Sequence, residues 1–238
     1  MKSPLIPLTL AWLGYFSPWL WPTPVALRLS AYDLVEWLTF AQSVRDGTYP
    51  VTRVDMLWPL VGIALLTALT LRIEPRRRDP AKRSGAGERK EENLLSLFLS
   101  VLSRFLQTFA VKNWLQLAFA LFAAFLILPG YPFILTAHTD PELRPQLIAG
   151  VATGLAVLAA AGVAVFRPNW ARWASAIIAL LALAATLRAY TLVRQPIADI
   201  FTRPAPIGYG FILAIVGFGW LAAQCLTRIW QNGRMPHR

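Results

Sequence analysis

The chain has 238 residues, of which 56% are hydrophobic and 15% charged, with a mean hydropathy of +0.50. A soluble domain carries nearer ~25% charge and could not hide so much apolar surface in one core, so lipid must serve as part of the solvent. Lys and Arg number 23 against 12 Asp and Glu, a net charge of +11, and the distribution of that excess excludes the nucleic-acid reading it would otherwise invite.

The single cysteine, Cys225, permits no intramolecular disulfide. With His138 and His237 it leaves too few and too scattered ligands for a His/Cys metal site. No cofactor is expected.

Runs of roughly 17 to 25 apolar residues are the crossing signal, because a helix rising ~1.5 Å per residue must cover ~30 Å of hydrocarbon. The first run covers residues 4–21. Lys2 before it gives a superficial likeness to a secretory leader, but Trp21-Pro22-Thr23-Pro24 lacks a small-x-small cleavage site, so the span is expected to be retained.

Residues 30–46 follow as the most organised segment outside the spans. Ser30 and Asp33 have capping-box spacing, Leu29 and Leu34 suit a hydrophobic staple, and Gly47 supplies a stop. The prediction is a short amphipathic helix lying on the outer face of the bilayer. Tyr32, Trp37 and Phe40 make it aromatic and are the candidate residues for docking a partner subunit. Asp33 and Glu36 could pair as catalytic carboxylates, but a spacing of three suits a solvated face equally well.

The second span covers 57–73. Residues 74–92 then form a flexible basic loop, interrupted by Pro75, Pro80, Gly85 and Gly87. Its cluster of Arg76, Arg77, Arg78, Lys82 and Arg83 is a candidate contact for anionic lipid headgroups, worth ~1 kcal/mol per charge near the surface, or simply the signal that keeps this loop inside. Stacking aromatics and a folded basic face, which nucleic acid would need, are missing from it. In residues 93–112, Ser96, Ser100, Ser103, Arg104 and Gln107 recur at helical spacing. That pattern predicts an amphipathic helix along the inner headgroup layer rather than a seventh span.

The third span covers 114–128 and is stopped by Pro129-Gly130. The loop beyond it gathers His138, Asp140, Glu142 and Arg144. An acid/base pair is conceivable there, although Pro141 and Pro145 mark an ordinary turn-forming loop. In the fourth span, 147–166, Gly150 and Gly154 form a GxxxG pair continued by alanines at four-residue spacing, which predicts close helix packing and a central position. The fifth covers 173–193 and the sixth 209–229. Arg188, near the outer end of the fifth, joins Arg194 and Arg203 as a candidate ligand or lipid contact, with a snorkelling arginine as the plainer alternative.

Six spans sort the connecting segments into two sets. One holds sixteen basic and five acidic residues, the other seven of each, so the whole excess lies on one side. The positive-inside rule makes that side cytoplasmic, with both termini there. Trp19, Trp21 and Trp58 then fall at the outer interface and Trp114, Trp170, Trp173 and Trp230 at the inner one, while Trp12 and Trp220 are placed deeper, between helices.

The sequence therefore predicts an all-α, single-domain bundle of six membrane-spanning helices with short interfacial helices. The plasma membrane of a bacterium suits it best, with membrane lipids and further membrane subunits as partners. The first functional expectation is a non-catalytic accessory or structural subunit of a larger membrane complex. The alternative is a small transporter or lipid-handling protein with a cavity near Arg188, and the third is an outer-surface enzyme using His138 with Asp140 or Glu142.

Overall fold

The computed structural model describes residues 3–21, 28–70, 111–201 and 206–233. Among these residues eight helices and one two-stranded ribbon follow in chain order: α1 Leu5–Phe16, β1 Pro18–Leu20, β2 Leu29–Ser30, α2 Ala31–Phe40, α3 Gln42–Arg45, α4 Arg53–Leu69, α5 Val111–Ile127, α6 Arg144–Phe166, α7 Pro168–Phe201 and α8 Tyr209–Gly233. A 3₁₀ turn at Phe133–Leu135 interrupts the connection between α5 and α6. The basic loop with Arg76, Arg77, Arg78, Lys82 and Arg83, and the expected amphipathic helix after it, lie outside the described residues.

Among the described residues three helices, not six, are long and apolar enough to cross a membrane: Arg144–Phe166, Pro168–Phe201 and Tyr209–Gln231. By length and composition they mark a multi-pass membrane protein. The expected first span stops after 12 residues, ~18 Å, because the backbone of Ser17 turns extended and the chain continues as β1. Helix α4 begins four residues earlier than expected, in a polar first turn, and is 17 residues long. Helix α5 is likewise 17 residues, ~26 Å. Helix α1 is well short of the ~20 residues a crossing needs, and α4 and α5 stand at the lower limit of the range of roughly 17 to 25.

The expected fifth span is the centre of a 34-residue helix, ~51 Å long. The segment expected as a loop after residue 193 is helical to Phe201, through Pro196. The ring of Trp37 of α2 lies tilted against Phe201 at its end, with centroids 6.0 Å apart.

Helix α4 is the centre of the bundle. Met56, Leu57, Leu60, Ile63, Ala64, Leu66 and Ala68 are all buried, and α4 packs on α1, α2, α5, α6 and α7. The expectation that the GxxxG helix would be central is thus corrected: Ile148, Val151, Leu155 and Leu158 of α6 are exposed. A Cβ on Gly150 would meet the side chain of Leu128 at 2.5 Å, while one on Gly154 would meet nothing.

The backbones of α1 and α8 approach closely. A Cβ on Gly14 would lie 2.3 Å from the Ala214 nitrogen, and one on Gly217 would lie 2.5 Å from the Ala11 nitrogen. Only hydrogen at those positions lets the two helices meet.

Hydroxyls inside this apolar frame bond back to their own helices. Thr153, Ser175 and Thr186 donate to the carbonyls of Ala149, Ala171 and Ala182, each at 2.7 Å. Gln146 bridges elements, donating at 3.1 Å to the Ile127 carbonyl and so tying the start of α6 to the end of α5.

One end of the bundle is closed by the ribbon. β1 pairs antiparallel with β2, and the Leu20–Ile207 bridge adds the segment before α8. This departs from the all-α expectation in a small way. Trp19, expected at the interface, is fully buried, its indole donating to the Gly14 carbonyl at 2.9 Å. Trp12 packs inward as expected and donates to Thr67 at 3.3 Å, whereas Trp220 is 38% exposed.

Candidate functional site

The site begins with a helix cap. Thr52 has extended backbone and precedes α4, and its amide and hydroxyl donate to Asp55 Oδ2 at 2.9 and 2.7 Å. A carboxylate held there satisfies a helix-start donor and lies where the helix dipole favours negative charge. Its other oxygen, Oδ1, accepts from Arg188 Nη2 of α7 at 3.4 Å. The Asp55 side chain is 14% exposed and that of Arg188 70%. At that exposure the pair is a loose surface contact worth ~0–1 kcal/mol.

Below this pair, α4 and α7 touch at Gly62 and Ala182, where a Cβ on Gly62 would lie 2.4 Å from the Ala182 Cβ. The small residues bring the helices together, and larger ones on either side stand away from the contact. Trp58, Val61 and Leu65 on α4, with Ile178, Leu181 and Ala185 on α7, recur at helical spacing and so share one face. They wall an apolar groove of about 440 Å³ whose mouth carries Asp55 and Arg188. That volume falls within the range of small-ligand sites, which are mostly apolar with a few placed polar groups.

The surroundings of the mouth are polar. Arg53 Nη1 lies 3.8 Å from Glu36 Oε1, and the Tyr49 hydroxyl donates to Asp199 near the end of α7. That hydrogen bond, with burial and the Asp199 charge behind it, raises the Tyr49 pKa, because the bond holds the phenol in its neutral form. The capping box of α2 forms as its sequence predicts. Ser30 donates to Asp33 Oδ2 at 2.9 Å from its amide and 2.7 Å from its hydroxyl, and the Asp33 amide donates back to Ser30 Oγ at 3.2 Å.

The predicted site residues divide. Arg188 lines the groove. Arg194 is exposed further along α7 and is not part of the groove lining, and Arg203 lies outside the described residues. Tyr32 is half-buried with its ring 6.0 Å from Phe16, and Trp37 is taken up by Phe201. Burial, then the charges of Glu36 and Asp33, raise the Tyr32 pKa. Phe40 belongs to α2, but its side chain lies outside the described set. Helix α2 is more than an interfacial helix on lipid: Ala31, Leu34, Val35 and Leu38 are buried in the common core.

In the loop before α6, His138 is exposed, and Asp140 accepts from the amides of Glu142 and Leu143 at 2.8 and 3.4 Å, a turn-stabilising role. Among the described residues no group of three His, Cys, Asp or Glu could hold a metal ion.

Sequence reading missed Asp55, Trp58 and Gly62 as site residues. The signal for Asp55 was present: Thr52-x-x-Asp55 before an apolar run is the same capping pattern recognised at Ser30. Comparison of the chain with protein-family models, with curated proteins and with solved structures yields no match.

Proposed function

We propose that this multi-pass protein is a lipid-handling protein of a bacterial plasma membrane, its carboxyl terminus cytoplasmic, that seats an acyl chain in the groove between α4 and α7. The groove itself carries the reading: its walls are apolar, its floor is formed by Gly62 and Ala182, and its polar residues are confined to one end. An acyl chain fits the walls, and the headgroup above it meets Asp55 and Arg188. No chemical step is assigned to these residues. The orientation rests on the basic excess around the α6–α7 turn and the carboxyl-terminal tail, against the balanced charge of the opposite segments.

The test is native mass spectrometry of the protein released from its membrane in mild detergent. The wild type is expected to carry one phospholipid more per chain than Ala185→Phe, which fills the groove while the chain remains folded. Equal retention by both proteins contradicts the proposal.

An accessory-subunit role stands second, because two of the three aromatic residues it relied on, Tyr32 and Trp37, face partners within the chain. It is favoured instead by a stripe of exposed Phe119, Phe122 and Phe125 on α5, which a neighbouring helix could cover. Stoichiometric recovery of a larger complex in a mild-detergent pull-down would support it. Recovery of the chain alone with lipid would count against it.

A further inference from the structure

The turn between α6 and α7 is a single residue, Arg167, with Pro168 opening the next helix. Beside it is a second groove of about 490 Å³, lined by Val163 of α6, Arg167, and Trp170, Trp173, Ala174 and Ile177 of α7. Trp170, Trp173 and Ile177 fall on one face at spacings of three and four. Both indoles stand open, 66% and 54% exposed.

Among the described residues neither Arg167 nor Arg172 has an ion-pair partner. From Leu143 to Ala198 the sequence contains no Asp or Glu, yet it contains Arg167 and Arg172. The carboxylates among the described residues are elsewhere. Asp55 meets Arg188, which is 21 residues along α7 from Arg167 and therefore ~32 Å away. Asp140 and Glu142 precede α6, whose 23 residues extend ~35 Å. The ~32 Å between Arg167 and Arg188 also matches the ~30 Å hydrocarbon thickness. If Arg188 marks one headgroup layer, Arg167 marks the other.

We infer that the α6–α7 corner is a binding site for an anionic phospholipid, with the lipid phosphate on Arg167 and the two indoles flanking the glycerol region. The combination is chemically specific. A guanidinium forks onto phosphate oxygens, indoles prefer the headgroup boundary, where their N–H groups can donate, and Val163, Ala174 and Ile177 accept the first methylenes of the chain. Arg172, on the same first turns of α7, adds the second positive charge that favours a net-negative lipid over a zwitterionic one. This site is separate from the α4–α7 groove and does not depend on it.

The test places the detergent-solubilised full chain with equal amounts of phosphatidylglycerol and phosphatidylcholine and reads the bound lipid by native mass spectrometry. The wild type is expected to prefer phosphatidylglycerol. Arg167→Gln with Arg172→Gln is expected to lower that preference about fivefold for each charge removed, and Arg167→Lys with Arg172→Lys to keep most of it. Should the glutamine pair fail to fold, the wild-type preference and the effect of Trp170→Leu with Trp173→Leu decide the matter. Equal binding of the two lipids, an undiminished preference in the glutamine or leucine variants, or displacement of phosphatidylglycerol by millimolar inorganic phosphate would each overturn the inference.

Discussion

Asp55 Oδ1 and Arg188 Nη2 lie 3.4 Å apart although 133 residues separate them in sequence. One carboxylate thus does two things: it caps α4 through Oδ2 and joins α4 to α7 through Oδ1. The two functions differ in energy. The cap is local and sheltered, whereas the arginine is mostly in solvent.

Asp55→Asn is therefore expected to lower stability by about 1 kcal/mol, the usual cost of weakening a helix cap. Arg188→Gln is expected to change it by no more than about 0.5 kcal/mol. Thermal unfolding in one detergent compares them. Greater damage from the arginine change would show that the ion pair, not the cap, organises this end of the bundle.

Glycine substitutions separate contact from composition. Gly14→Ala and Gly217→Ala each drive a methyl into the partner helix's backbone and are expected to destabilise by about 1–3 kcal/mol. Gly154→Ala meets nothing within 4 Å and is expected to be neutral or to stabilise by up to about 1 kcal/mol, because a mid-helix glycine is itself unfavourable. Similar losses at all three positions would contradict the packing described.

The Tyr49–Asp199 hydrogen bond carries a pH signature. Its folded-state pKa is raised, so the neutral phenol is the form the fold favours, and its stabilisation is complete below the unfolded value of about 10. It is lost as pH rises through the higher folded value. The difference in melting temperature between wild type and Tyr49→Phe is expected to be constant at neutral pH and to shrink on the alkaline side. A difference that grows with pH there would reverse the assigned direction.

Local features were legible in the sequence. The Ser30–Asp33 cap lies within three residues and needs no distant partner, and the apolar cores of α6, α7 and α8 follow from composition alone. Non-local features were not. Nothing near residue 17 announces that the chain leaves its helix to pair Pro18 with Ser30, a contact that shortens the first apolar run and buries Trp19. Arg194 and Asp199, read as loop residues, lie on a helix that Pro196 does not end, because that segment packs on α2.

Centrality also eluded the pattern. Small residues on α6 suggested a core helix, but α6 leaves large side chains open, whereas α4, with bulky Leu and Ile on nearly every side, is surrounded. Arg188 was picked for its place near the end of a span. The groove it borders depends on Gly62 meeting Ala182, a pairing set by tertiary structure.

The most direct test of the central claim is photocrosslinking in the membrane with a phospholipid carrying a diazirine in its acyl chain, followed by peptide mapping. Adducts concentrated on Val61, Leu65, Ile178 and Leu181, and reduced by Ala185→Phe, are expected if the α4–α7 groove seats an acyl chain. Adducts spread evenly over outward residues such as Phe119, Leu155 and Ile212, with the groove labelled no more than they are, would contradict it.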